Sequence, residues 1–290
     1  MKHILVIAEP QGGQQFAFPE ALKLAKHTIA DIHVVIFCFE SHCERLYQSR
    51  EDDSFIDVKG LVIASAENNW LKYMESQSVE VEVTYEVVWA KQISKWIIEH
   101  CDNSTYDLIV KTGNRSESFF YTSTDWQLFR ESSVPVYCIS KVHFKPKKVV
   151  LVALDLNAKH TDKQKLNENL LEAAFQLSVQ TDAVMHCCYA IEVPTLIKDL
   201  DLIDVPARTH QIELEVRKKA KNLLELYDIE EEQLHIKQGK SWKVINQLAH
   251  ELKAQCIVVG SMGRKGIEGK LIGNTAEKVI HESKTDLLVI

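Results

Sequence analysis

Val149-Val150-Leu151-Val152-Ala153-Leu154-Asp155 matches the earlier stretch His3-Ile4-Leu5-Val6-Ile7-Ala8-Glu9 at an offset of 146 positions. Two further matches keep nearly the same offset. Asp107-Leu108-Ile109-Val110 returns as Gln255-Cys256-Ile257-Val258 at 148, and Pro135-Val136-Tyr137-Cys138-Ile139 as Asp286-Leu287-Leu288-Val289-Ile290 at 151. Offsets this steady imply an internal duplication, with one copy over residues 1–141 and the other over 148–290. Between them runs the basic stretch Lys141-Val142-His143-Phe144-Lys145-Pro146-Lys147, whose proline holds the preceding residue extended. It reads as the linker.

Each copy alternates strand with helix. In the second, Val149 to Leu154 is apolar throughout, and Leu166, Leu170, Ala173, Ala174 and Leu177 then recur at helical spacing before the strand-like Ala183 to Cys188. Ile212, Val216, Ala220 and Leu223 mark a second helical face, Leu234-His235-Ile236 a short strand, and Val244, Leu248, Ala249 and Leu252 a third helix. Cys256 to Val259 and Leu287 to Ile290 complete five strands. Continuous apolar strands joined by helices predict an α/β fold, a parallel sheet covered on both faces.

Val79-Glu80-Val81-Glu82-Val83-Thr84-Tyr85-Glu86-Val87 differs, because it alternates apolar with mostly acidic residues as a strand with a solvated side does. The third strand is therefore expected at the sheet edge. The fully apolar first and fourth strands then lie centrally, in the order 3-2-1-4-5, and a ligand would sit outside their carboxyl ends, where the strand order reverses. Asp155 ends the first strand of the second copy and Gly260 ends its fourth.

Gly260 opens a motif of its own, Gly260-Ser261-Met262-Gly263 followed after nine residues by Gly273-Asn274-Thr275. Glycines free the backbone to converge its N–H groups on an anion, and a helix starting at Gly273 would add the positive end of its dipole. Arg264, Lys265 and Lys270 lie in the same loop, either strengthening anion capture or simply solvated. Asp155 either holds a base or ribose or caps the next turn. Asn274 reads two ways, as a donor to phosphate beside the Thr275 hydroxyl, or as the N-cap of a capping box with Glu277.

Composition sets limits. The 290 residues are 46% hydrophobic and 26% charged, enough for two ordinary cores, and no apolar run approaches the ~20 residues of a membrane helix. Residues 1–145 hold 14 Lys and Arg against 20 Asp and Glu, and residues 146–290 hold 20 against 21, so neither half is a nucleic-acid platform. Seven cysteines without a Cys-x-x-Cys, two of them adjacent at Cys187-Cys188, predict reduced core thiols and a cytoplasmic protein. Trp70, Trp89, Trp96 and Pro19 are expected as core or helix-start residues. Gly239-Lys240-Ser241 imitates the end of a phosphate loop, but position 234 is Leu where that pattern needs Gly. Cys38, His42 and Cys43 lack a second ligand pair at zinc spacing.

Taken together, the two five-stranded copies, Asp155, the Gly260-x2-Gly263-x9-Gly273 loop and the closing Asp286-Leu287-Leu288-Val289-Ile290 resemble the universal stress protein family in its tandem form. The closest likeness is to the E type, through Thr122-Ser123-Thr124-Asp125-Trp126 in the first copy and Gly273 to Glu277 in the second. The resemblance implies two domains packed as a pseudo-dimer, self-sufficient but open to further homo-oligomer pairing. It also implies an ATP or AMP site in the second copy, with Mg only if ATP is bound. Adenine would lie near Asp155, Ala153 and, less directly, Cys187, and the phosphates over Gly260, Gly263 and Gly273, with Arg264, Asn274 and Thr275 the neighbouring groups that could reach the same anion. The sequence departs from nucleotide-binding members at Asn274, where they usually carry Ser or Thr.

The first copy has lost the motif. Asn114-Arg115-Ser116-Glu117-Ser118 has no second glycine, Glu9-Pro10 replaces the strand-end Asp, and Thr124 reads as an N-cap ahead of an acidic first turn. Nothing identifies a positioned general base, so slow ATP hydrolysis is the most that is expected. Two function classes follow. One is a stress-response sensor or regulator that binds nucleotide without fast turnover; the other is a non-enzymatic adaptor that holds an apolar or lipid-like metabolite and acts through regulatory protein partners.

Overall fold

The computed structural model describes residues 1–9, 13–40, 58–113, 124–141, 147–192, 205–261 and 272–290. It divides into two compact units, Met1–Lys141 and Val142–Ile290. The first runs β1 (His3–Ile7), α1 (Ala17–Thr28), β2 (Asp31–Cys38), α2 (Val58–Glu75), β3 (Val83–Trp89), α3 (Ile93–Asn103), β4 (Leu108–Thr112), α4 (Thr124–Glu131) and β5 (Val136–Ile139). The second runs β6 (Lys147–Ala153), α5 (Thr161–Thr181), β7 (Val184–Ile191), α6 (Val205–Leu226), a short 3-10 turn at Glu231–Gln233, β8 (Leu234–Gln238), α7 (Ser241–Leu252), β9 (Ala254–Val259), α8 (Asn274–Glu282) and β10 (Asp286–Val289).

Within each unit every strand pair is parallel, and the order is the expected one. In the first unit β1 lies between β2 and β4, with β3 beyond β2 and β5 beyond β4. In the second, β6 lies between β7 and β9, with β8 and β10 outside them. Ile4, Leu5 and Val6 are completely buried, as are Val150, Leu151 and Val152. Side chains alternate along a strand, so three buried in succession mean that both faces of the sheet are covered there. Helices do this: α5 and α7 both pack on β6, β7 and β9, and α1 packs on β1, β2 and β4.

The third strand starts later than its alternation predicts. It begins at Val83, because its partner β2 begins at Asp31 and the ladder opens at Ile32, which lies opposite Val83 and donates its N–H to the Glu82 carbonyl at 2.9 Å. Three helices stop on left-handed residues that are not glycine, Ile29 (φ 54°), Asp182 (φ 50°) and Lys253 (φ 52°). Their N–H groups close the last turns onto Ala25, onto Ser178 and Val179, and onto Ala249 and His250.

In the first unit polar side chains converge at the carboxyl ends of β1 and β4, beside a cavity of about 280 Å³ lined by Ala8, Glu9, Gln15 and Ile36 among others. Lys111 of β4 donates to Asp125 in the first turn of α4 and to the Thr112 carbonyl at 2.7 Å, and both side chains of the pair are buried. Glu9, just after β1, accepts the N–H groups of Phe16 (3.0 Å) and Ala17 (3.2 Å) at the start of α1 and the hydroxyl of Thr112. Thr124 is the first helical residue of α4, inside the helix and not its cap. The acid that matters is Asp125, whose charge meets both the helix dipole and an ammonium.

A buried pair tolerates joint removal far better than loss of one partner. Asp125→Ala is expected to cost about 3–5 kcal/mol by stranding the Lys111 ammonium, and Lys111→Met combined with Asp125→Leu to recover most of it. Urea unfolding of the three proteins measures both effects.

Candidate functional site

The second unit has a crevice of about 350 Å³ at the corresponding place, the carboxyl ends of β6 and β9, walled by Ala153, Leu154, Asp155, Tyr189, Gly260 and Thr275 among others. It falls where the helices leaving β6 and β9 diverge, at the switch point of the sheet. Its size lies at the lower end of ordinary small-molecule sites.

Asp155 is set by its backbone. Its N–H donates to Asn167 Oδ1 at 3.0 Å and its carbonyl accepts from Asn167 Nδ2 at 2.9 Å, so the largely buried amide of α5 clamps the turn after β6. The carboxylate is left half-exposed and pairs with Lys163 at 2.7 Å. Glu192, just past β7, accepts the backbone N–H (2.6 Å) and hydroxyl (2.7 Å) of Ser241, placing a second carboxylate on the amino end of α7. Burial, then Asp155 and Glu192, push the Tyr189 hydroxyl pKa up against a hydrogen bond from Asn157.

The glycine at the end of β9 has a packing reason. A Cβ added at Gly260 would stand 2.7 Å from Leu166 Cδ2, so the absence of a side chain lets α5 approach the backbone here. Ser261 then joins two segments: its N–H donates to the Ile290 carbonyl (2.8 Å) and its carbonyl accepts from Gly273 (3.0 Å). That brings the start of α8 to the end of β9.

Of the residues singled out from sequence, Ala153, Asp155, Gly260 and Thr275 line the crevice. Cys187 does not. It is fully buried opposite Val152, and its neighbour Cys188, paired with Ala153, reaches the wall instead. Gly273 is the N-cap of α8 and Asn274 its first helical residue, so the capping box with Asn274 as cap is not formed; no side chain caps this helix. Gly263 and Arg264, with Lys265 and Lys270, lie outside the described residues, as do His42, Cys43, Thr122, Ser123 and most of the linker. The sequence reading missed Asn167, Lys163 and Glu192. Asn167 sits at i+1 from the apolar Leu166 on a helix, a spacing that signals nothing by itself.

Residues 148–290 match the model described as the universal stress protein family. The whole chain aligns with the universal stress protein E homolog of Haemophilus influenzae, 27% identical over 303 residues and covering 97% of that protein. It aligns equally with universal stress protein E of Escherichia coli K12, 27% identical and covering 93% of it. The second unit is a universal stress protein domain, and along its full length the chain is similar to universal stress protein E. A crystal structure from Pseudomonas aeruginosa UCBPP-PA14 assigned to the same family shares the fold along all of this chain and 92% of its own, with a TM-score of 0.74 at 22% identity. Among the described residues no helix is long and apolar enough to cross a membrane.

The six described cysteines are buried. Burial pushes the Cys187 thiol up to about 12 and raises that of Cys188 as well. Two expectations follow from the geometry. Asn167→Ala should cost about 1–3 kcal/mol, because it strands the Asp155 backbone groups, whereas Lys163→Ala should cost less than about 1 kcal/mol for an exposed ion pair. Denaturant unfolding separates them. Iodoacetamide should leave Cys187 and Cys188 unmodified in the native protein and alkylate both in denaturant, as read by peptide mass spectrometry.

Proposed function

We propose that the second unit binds ATP or AMP in this crevice and that the protein acts as a stress-response sensor or regulator without fast turnover. The observation that carries the reading is the convergence of a half-exposed carboxylate, a glycine strand end and an uncapped helix start on one cleft. Apolar walls from Ala153, Leu154, Ala190 and Val259 suit a flat base. Asp155 offers acceptors to the hydroxyls of a ribose or the amino group of a purine. Thr275 and Ala276, in the first turn of the nine-residue α8, line the cleft, and first-turn N–H groups have no partners within their own helix. A phosphate there would meet the positive end of the helix dipole, and Mg would accompany the triphosphate.

The first unit makes the contrast. By the matching strand registers Lys111 stands where Val259 stands and Thr112 where Gly260 does, and Asp125 falls where Ala276 does, at the offset of 151 that relates the last residues of α4 and α8 and the strands that follow them. An anion already sits at that helix start, and it is the chain's own.

Titration calorimetry with ATP and AMP tests the reading. The wild type should bind, and Asp155→Ala and Ala190→Phe should each weaken binding at least tenfold, about 1.4 kcal/mol. Glu9→Gln in the first unit should leave affinity unchanged. A wild type with no affinity, variants that bind as well as it does, or a tightly held apolar metabolite released on denaturation in place of nucleotide would overturn the proposal, the last in favour of the adaptor reading.

A further inference from the structure

On the first unit, away from the strand ends just described, three half-buried ligating side chains meet. His33 comes from β2, Glu86 from β3 and His100 from α3, and one ligand atom of each lies within 4.8 Å of the other two. We propose that His33, Glu86 and His100 form a binding site for a divalent transition metal of the zinc class.

The chemistry of the donors selects the ion. Two imidazoles and one carboxylate are a common zinc set, with a further position left for water, and they disfavour magnesium or calcium, which prefer oxygen alone. Zinc bonds of ~2.1 Å in a tetrahedron place ligand atoms ~3.4 Å apart. His33 Nε2 and Glu86 Oε1 are already at 3.2 Å. The remaining closure falls to side chains at the surface: 24% of His33 and 39% of Glu86 is exposed.

Each imidazole is held by a second contact, as metal-binding histidines are. Thr84 Oγ1 lies 2.8 Å from His33 Nδ1; with the hydroxyl accepting, the ring proton stays on Nδ1 and the lone pair of Nε2 points toward Glu86. In that tautomer the lone pair and the carboxylate oxygen, 3.2 Å apart, are spaced for one cation to bridge. The Tyr106 hydroxyl lies 3.0 Å from His100 Nε2, and Trp96 stacks on the same ring with centroids 4.4 Å apart at 14°.

The duplication supplies a comparison. The register places His186 where His33 stands and His235 where Glu86 stands. Those two rings stack at 13° with Nδ1 of His186 2.9 Å from Nε2 of His235, one nitrogen satisfying the other. At the offset of 148 that relates β4 to β9, His100 corresponds to Leu248, which is buried and apolar. The second unit thus has a pair where the first has a triad.

The test titrates zinc alone into the full chain, stripped with chelator, by calorimetry, and repeats it with cobalt to read visible absorption and quenching of Trp96. One zinc per chain is expected. Glu86→Gln and His100→Gln should each weaken it at least tenfold, while His235→Gln should leave it unchanged. Zinc should raise the Tm of the wild type and of His235→Gln but not of the other two, whose metal-free Tm and far-UV circular dichroism should match the wild type. Absence of stoichiometric binding, less than tenfold weakening in either Glu86→Gln or His100→Gln, or loss in His235→Gln would overturn the site.

Discussion

The parallel ladder around β1 and β6 governs both units. A strand paired in parallel on both sides and buried on both faces cannot turn directly into its neighbour, so each connection must cross over through a helix. The helices that leave β1 and β4, or β6 and β9, go to different faces, and between them the strand ends stay uncovered. That gap is a by-product of topology, present whether or not anything binds there. What each unit does with it is left to a handful of side chains.

The two units give opposite answers. In the second, Gly260 contributes no side chain, Asp155 is fixed through its backbone and keeps its carboxylate outward, and α8 begins without a side-chain cap. In the first, Glu9, Thr112, Lys111 and Asp125 turn their polar atoms toward one another and toward the start of α1. Both clamp the turn after the first strand with an amide: Asn167 holds Asp155, and Gln15 accepts from the Glu9 N–H at 3.1 Å and donates to its carbonyl at 3.3 Å. The frame of the site has been retained in both; its lining has not.

Much of this was legible in the sequence. Apolar runs repeated at a steady offset gave the strand set, and the single alternating strand gave the edge, because burial on two faces and on one leaves different patterns. Boundaries were less legible. Ile29 and Lys253 end helices in a conformation that glycine usually marks, and the start of β3 is set by where β2 begins, which its own residues do not encode. Within the site, Cys188, Tyr189 and Ala190 all line the crevice while Cys187 does not, because the crevice begins at the carboxyl end of β7, and only the register with β6 says where that end falls. The Lys111–Asp125 pair and the cluster around His33 join residues from separate elements. No local spacing announces them.

That buried pair also bears on how two copies of one domain stay different. A first unit drifting back toward an open, anion-receiving cleft would have to shed both the ammonium and the carboxylate, and either loss alone leaves the survivor without its counter-charge in a dry interior. Each single step is penalised although the endpoint is sound. The divergence of the copies works as a ratchet, because each buried charge holds the other in place.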